Sequence, residues 1–473
     1  MGMQTMKRLV LALLLACALP VWGADKYVRV GGNNGNSGND WTNAYATIAT
    51  CETNIGRGDT CWIGDGSVGG LTFNIAVSGS TPVTFKKGTS SSHGTETGWQ
   101  ASYANQAQIG GITCVTQYLV IDGQTRTESN TWTAPTGYGL RASSIGSDTI
   151  NGENCSNSTF SYIDIGPAYT TTYASGLPTV IRFVYSQTNI TLSRCAFHNS
   201  VPTGFQGAGA DNITIEYCNI GPTWGKQAIR GGNNALSTGW IIRYNKFWRS
   251  SQTDPDDGTS GITADVSIWD SGGTHPDGFN DHQIYGNWFW NDQSGGRNSV
   301  VNIGGDGGGW IGGRGSNNKI YNNTIVGIPE DSVFPDLLLI GGTGNIIRNN
   351  LFYDVISSSA SANTTSNNTE VVSNPFVDYA NLDLRLSGAT TAGFDTGSEL
   401  AGNDVDALGV TRGADGTWDL GAYEFNAGGP PSAPQNLRIL SWLFLGGLGA
   451  VLTGGMYALF GRIAGAVRAR TVA

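Results

Sequence analysis

Between residues 158 and 353 apolar and polar positions alternate in short runs, and one run recurs. An Asn or Cys stands at 195, 218, 245, 287, 323 and 350. Three residues before it lies Leu192, Ile215, Ile242, Ile284, Ile320 or Ile347, and two after it Phe197, Ile220, Phe247, Phe289, Ile325 or Phe352. Period-two alternation predicts strands with one buried face. A single unit of this size cannot bury that face, but stacked units can. The shortest steps are 23 and 27 residues, while those of 42 and 36 carry inserted loops. Asn at a fixed place suits a turn, because it tolerates the left-handed backbone region and its amide can bond the amide above and below. The pattern predicts an all-β solenoid with coils about 4.8 Å apart. A β-sandwich offers no reason to repeat one motif in register.

The two ends break the pattern. Lys7 and Arg8, the apolar run Leu9 to Leu19 and the small residues to Ala24 read as a signal peptide, 1–23. An alternative reading takes Cys17 as a lipoprotein cysteine. At the other end Ile439 to Phe460 holds no charge, is long enough to span a bilayer and is followed by Arg462, Arg468 and Arg470. The expectation is a transmembrane helix, 439–461, behind a Pro-rich linker, 427–438, with a basic cytoplasmic tail, 462–473. The protein would then be exported, on the periplasmic or extracellular side, and anchored in the membrane. Removal of the tail after export is the alternative.

Composition sharpens this picture. Glycine supplies 70 of 473 residues, charged residues only 13 % and aromatics 10 %. That excludes collagen, a coiled coil and a disordered chain. The net charge is −10, which makes nucleic acid an improbable partner. Setting aside Lys7, Arg8, Arg438, Arg462, Arg468 and Arg470 at the two ends leaves 20 basic against 36 acidic residues, a net of −16.

Several segments carry a resemblance. Tyr27 to Gly32 resembles an opening strand, Thr42 to Ile48 a capping helix, Gly58 to Gly66 and Ser80 to Lys86 first coils, and Asn374 to Leu386 with Asp419 to Glu424 a closing segment. With the repeat, they make the chain similar to the right-handed parallel β-helix proteins of the pectate-lyase-like superfamily over residues 25 to 426. The resemblance implies a cap with first coils (24–110), a central β-helix (111–375) and a closing segment (376–426). It implies a polysaccharide or cell-surface glycan as partner, and glycan cleavage of lyase or hydrolase type. A non-catalytic adhesin or structural envelope protein is the alternative. Six cysteines remain after the signal peptide. Cys195 and Cys218 occupy one place in adjacent coils, so a disulfide or two stacked thiols can result. Cys114 and Cys155 precede similar strands, which leaves Cys51 with Cys61.

The 42-residue step holds the densest chemistry. Asp256, Asp257, His275, Asp277 and Asp281 are candidate catalytic groups, because carboxylates one or two coils apart bracket the separations of glycosidases. Asp254 and Asp270 could hold Ca²⁺. Trp248, Trp269, Trp288 and Trp290 are candidate sugar platforms, with Trp288 and Trp290 expected to face outward around Phe289, while Trp240 is expected in the core. Lys226, Arg230 and Arg249 form a basic set for substrate. Arg230 with Gly231, Gly232 and Asn233 resembles a polysaccharide-lyase site, yet no Lys lies between Val201 and Ile220 to serve one coil earlier. The glycines from Gly307 to Gly312 lack a strand-to-helix context and read as a coil turn.

Overall fold

The computed structural model describes residues 23–425 apart from 130–135, 145–146, 167–178, 185, 199–202, 224–226, 233–235, 250–263, 270–278, 292–299, 304–314, 329–337, 356–359, 389–393 and 401–402. The predicted signal peptide (but for Gly23), linker, membrane helix and tail therefore lie outside the described residues. Among those residues no helix is long and apolar enough to cross a membrane.

Among the described residues three parallel sheets extend from Asp25 to Val371. Sheet A has 12 strands, sheet B 11 and sheet C 10, and the chain passes from A to B to C once per coil. Thr188–Ser193, Ala196–Phe197 and Thr203–Ala208 make one such coil, and Asp211–Glu216 opens the next. The register follows the apolar repeat. Leu192, Ile215, Ile242, Ile284, Ile320 and Ile347 stack inward in sheet A. Phe197, Ile220, Phe247, Phe289, Ile325 and Phe352 do so in sheet B. All are buried, and each contributes roughly 1.5–3 kcal/mol of hydrophobic stabilisation. Trp240 is also inside, its ring edge-on to Phe205 at 5.7 Å.

The fixed Asn is a hydrogen-bonded ladder. Asn245 Nδ2 donates to Asn287 Oδ1 at 3.0 Å, Asn287 to Asn323 at 3.0 Å, Asn323 to Asn350 at 3.0 Å and Asn350 to Asn368 at 2.8 Å. The left-handed residue is the one before the ladder position, not the Asn itself: Tyr217, Tyr244, Asn322 and Asn349 have φ of 54°, 59°, 50° and 57°. At Gly286, with φ 65°, a Cβ would stand 2.6 Å from the Tyr244 ring, so only glycine fits. A second ladder, absent from the sequence reading, occupies the turn into sheet A. There the backbone N–H groups of His282, Asn318 and Asn345 donate to Asn318, Asn345 and Asn363 Oδ1. Burial pushes the His282 imidazole down to about 3, so it stands neutral, its Nδ1 accepting from Trp240 N.

Disulfides join Cys51 to Cys61 and Cys114 to Cys155. Cys195 and Cys218 are free thiols, which decides between the two sequence expectations against a third bridge. Each thiol stands in the ladder place of an Asn amide. Cys218 Sγ donates to the carbonyls of Leu192 and Glu216, as Asn245 Nδ2 donates to that of Ile215. The capping helix is Ile48–Thr53 rather than Thr42 to Ile48. Thr47 is its N-cap, accepting from Thr50 N, and Tyr45 is spent on a parallel bridge to Val28.

The closing segment does not sit across the end of the coil stack. It packs along sheet B and the ladder edge. Tyr244 Oη donates to the Val405 carbonyl, Asn322 Nδ2 to that of Asp419, Asn349 Nδ2 to that of Ser398, and Ala422 N to Thr324 Oγ1. Within it Arg412 is buried, pairs with Glu424 at 3.2 Å and donates to the Gly421 and Ala422 carbonyls.

Candidate functional site

The 42-residue step resolves into two insertions around one strand. Residues 250–263 precede Ala264–Trp269 and residues 270–278 follow it, and that strand lies in sheet C between Gln227–Gly232 and Val301–Ile303. Chain connectivity thus ties both insertions to sheet C. Asp254, Asp256, Asp257, Asp270, His275, Asp277 and Lys226 lie outside the described residues. Arg249 and Trp269 end described strands, but their side chains are not among those described.

Sheet C keeps its inward positions in register from coil to coil. Ile181, Phe205, Ile229, Val266, Val301 and Leu338 point into the core in register. The next residue points out at Asn151, Arg182, Gln206 and Arg230, and these positions form a file that the backbone register continues to Asn302. Arg182 and Arg230 are two strand spacings apart, about 9–10 Å. Arg182 Nε meets Asp148 Oδ2 at 2.8 Å. Burial pushes the Asp148 carboxyl up, and Arg182 works against that shift. Gln206 accepts from Thr179 Oγ1 at 3.3 Å. Arg230 is half-buried, and desolvation alone pushes its guanidinium below the usual arginine range. A partly dehydrated guanidinium is well suited to a carboxylate, which it can grip with two parallel N–H bonds. Asp265, beside the file, is only 2 % exposed, as is Asn302. Sequence reasoning found Arg230 but missed Arg182, Gln206 and Asn302. The usable signal was a polar residue between inward neighbours, as in Ile181-Arg-Phe183 and Ile229-Arg-Gly231.

The remaining candidates separate. Asp281 is exposed, in a turn with φ 62° leading into sheet A, and is not on this file. Trp288 does point away from the core of the coil, but it is 1 % exposed beneath the closing segment, in the cluster of Leu384, Leu420 and Tyr423. It offers no face to a sugar, and the expectation of a platform there is corrected. Trp248 and Trp290 stand side by side on the outside of sheet B, half-buried, with ring centroids 5.4 Å apart and planes 27° apart. Among the described residues no three His, Cys, Asp or Glu side chains gather as a metal site.

No family model matches the chain, and no curated protein sequence matches it. Among solved structures the chain is similar to a pectate lyase, at 13 % identity over 85 % of this chain and 96 % of that one, with a TM-score of 0.48. It is similar to a lacto-N-biosidase from Eubacterium ramulus at 12 % identity, over 73 % and 67 % of the two chains, with a TM-score of 0.41. A surface adhesin of Streptococcus pneumoniae shares 13 % identity over 63 % and 71 %, with a TM-score of 0.32. At such values the likeness concerns the course of the backbone and says nothing about chemistry. It is the three all-parallel sheets, visited in turn once per coil, that make the described chain a parallel β-helix.

Proposed function

We propose that this protein is exported and acts on an acidic polysaccharide that lies along the outer face of sheet C. One observation carries the reading: Arg182 and Arg230 share an outward file, two coils apart, in a solenoid whose net charge is otherwise strongly negative. A polyanion would be repelled by such a domain unless a local basic strip received it. Coils repeat every ~4.8 Å, close to the rise of a sugar residue, so alternate carboxylates along a chain can meet alternate coils. Cleavage would fall to Asp256, Asp257, His275 and Asp277 in the insertions around Ala264–Trp269, while Asp281, in the turn into sheet A, is set apart from it; Asp254 and Asp270 are the candidate Ca²⁺ ligands. Two disulfides support export, since such bonds persist in oxidising compartments. The C-terminal apolar stretch would tether the protein to the membrane.

A second reading, binding without cleavage, is favoured by Gln206. It occupies the position one coil before Arg230, where the lyase resemblance calls for a basic residue, and an amide cannot take a proton from a sugar carbon. Incubation of the full chain with polygalacturonate, alginate and neutral glucans separates these outcomes. Unsaturated products indicate elimination, new reducing ends indicate hydrolysis, and retention without either indicates binding. Arg230→Ala should weaken polyuronate retention at least tenfold without loss of fold. A folded protein that neither retains nor cleaves any polyuronate overturns the proposal.

A further inference from the structure

We propose that the peptide bond between Gly23 and Ala24 is a processing site, and that Asp59 is placed to receive the α-ammonium group its cleavage creates. The inference rests on export of the chain and not on its action on a polysaccharide. Ala24 is where the chain joins the first coil. Its N–H donates to Asp59 Oδ1 at 2.6 Å, and its carbonyl accepts from Thr60 N at 3.1 Å. From Asp25 the backbone runs in parallel register with Thr60–Ile63. Gly23 has no hydrogen bond to that coil. It crosses Gly58 so closely that a Cβ would stand 1.7 Å from the Gly58 carbonyl oxygen. The hydrogen bonds of the first coil therefore start on the C-terminal side of this one peptide bond.

Asp59 is held in place by its own turn. Its N–H donates to the Gly56 carbonyl at 3.2 Å, and Gly56 N returns a bond to Oδ2 at 2.7 Å, which leaves Oδ1 directed at Ala24. Among the described residues both partners of this carboxylate are backbone N–H groups, and no Lys, Arg or His forms an ion pair with it. The cations closest along the chain are spent elsewhere. Arg57 donates to the carbonyls of Ile75, Ala76, Gln117 and Tyr118, and Lys26 to the Ser37 carbonyl and Asn39. In the uncut chain the Ala24 nitrogen is a neutral amide. On hydrolysis water adds to the Gly23 carbonyl carbon and the C–N bond breaks. The water oxygen stays with Gly23 as a carboxylate, and both its protons end on the Ala24 nitrogen as an ammonium. The Asp59 carboxylate then gains the cation it lacks, in a charge-assisted bond about twice as strong as a neutral one. The enzyme class is a signal peptidase, which accepts small residues such as Val21 and Gly23 before the cut.

Production of the full chain in a secreting bacterial host, followed by intact-mass and N-terminal sequence determination, tests the cut. The chain should begin at Ala24. At about pH 7, where an α-amine of pKa about 8 is acylated ahead of lysines, Ala24 should react several-fold faster in Asp59→Asn than in the unsubstituted protein. Asp59→Asn should also lower the thermal midpoint by about 1–2 °C while the amine is free. The loss should shrink once Ala24 is acetylated, because the acetyl amide restores the neutral N–H of the uncut chain. Retention of residues 1–23 overturns the export reading together with this one. An exported chain that begins at any other residue, Cys17 included, overturns this one alone. Equal acylation rates in the two proteins, or an Asp59→Asn loss untouched by acetylation, reduce Asp59 to an acceptor for an amide and also overturn the proposal.

Discussion

Sheets B and C stand on the same coils and share the same aliphatic and aromatic core, yet their outer faces have opposite characters. Sheet C presents Arg182, Gln206 and Arg230 on the strands that precede Ala264–Trp269 in the stack. Sheet B presents Trp248 and Trp290, then disappears under the closing segment at Trp288, Thr324 and Leu351. The inward half of each strand is constrained by packing and the outward half is not. A solenoid can therefore carry two unrelated surfaces in one repeat, each altered by single substitutions without disturbing the other.

That separation should fail when the shared core is cut. Phe289 stacks on Phe247 at 4.5 Å and is fully buried. Phe289→Ala should lower stability by about 3–5 kcal/mol, read from denaturant unfolding, and should weaken polyuronate retention on sheet C although the residue lies in sheet B. Unchanged retention in a protein destabilised to that extent would mean the two sheets do not share one core.

Damage to the closing segment should strike sheet B only. Arg412→Ala strips the buried partner from Glu424, a loss of about 3–5 kcal/mol for that segment. Trp288 should then become solvent-accessible, seen as a red shift in fluorescence, while polyuronate retention on sheet C persists.

Lys246 sharpens the contrast through pH. It lies on the outside of sheet B, where it donates to the Ser129 carbonyl, and burial lowers its ammonium to about 7. The unfolded chain keeps that proton up to the ordinary lysine range near 10.5, so stability should rise with pH between about 7 and 10.5 and be lost as pH falls through that window. Lys87, donating to the carbonyls of Ile63, Gly88 and Tyr103 and lowered by burial to about 8, adds in the same direction. Lys246→Met should remove its share of the slope, at most about 1.4 kcal/mol per pH unit, without changing the polyuronate affinity of sheet C.

The smallest effect belongs to the ladder thiols. Burial pushes the Cys218 thiol well above its ordinary range, so it should resist alkylation in the native protein. Among the described residues two thiols, Cys195 and Cys218, should react once the chain is unfolded without reductant, and Cys17 makes a third wherever the N-terminal segment is retained. Cys218→Ser keeps a donor for the Leu192 and Glu216 carbonyls and should change stability by less than about 1 kcal/mol.

The repeat at 195, 218, 245, 287, 323 and 350 was legible because each coil must bury the same positions and satisfy the same turn. Inward residues, ladder and sheet register all follow from that local demand, repeated. The turn chemistry was only half legible. Positive φ at Tyr217 and Tyr244 contradicts their intrinsic preference, and the ladder bonds of the neighbouring Cys218 and Asn245 hold it there. The second ladder was hidden because its positions hold His282 as well as Asn318, Asn345 and Asn363, and backbone donors make it.

The sequence alone determined that this chain is a solenoid, which side of each strand faces in, and that Cys51, Cys61, Cys114 and Cys155 could pair. Those are questions of period and neighbourhood along the chain. Only the tertiary structure decided what lies over the outside. Trp288 and Trp290 are two residues apart with the same outward direction, yet one is sealed beneath residues more than 90 positions later and the other stays half-exposed. Likewise Arg182 and Arg230, far apart in sequence, share a face because coils of unequal length still add the same rise. Burial of an outward residue depends on which distant segment folds over it, and period-two alternation carries no record of that.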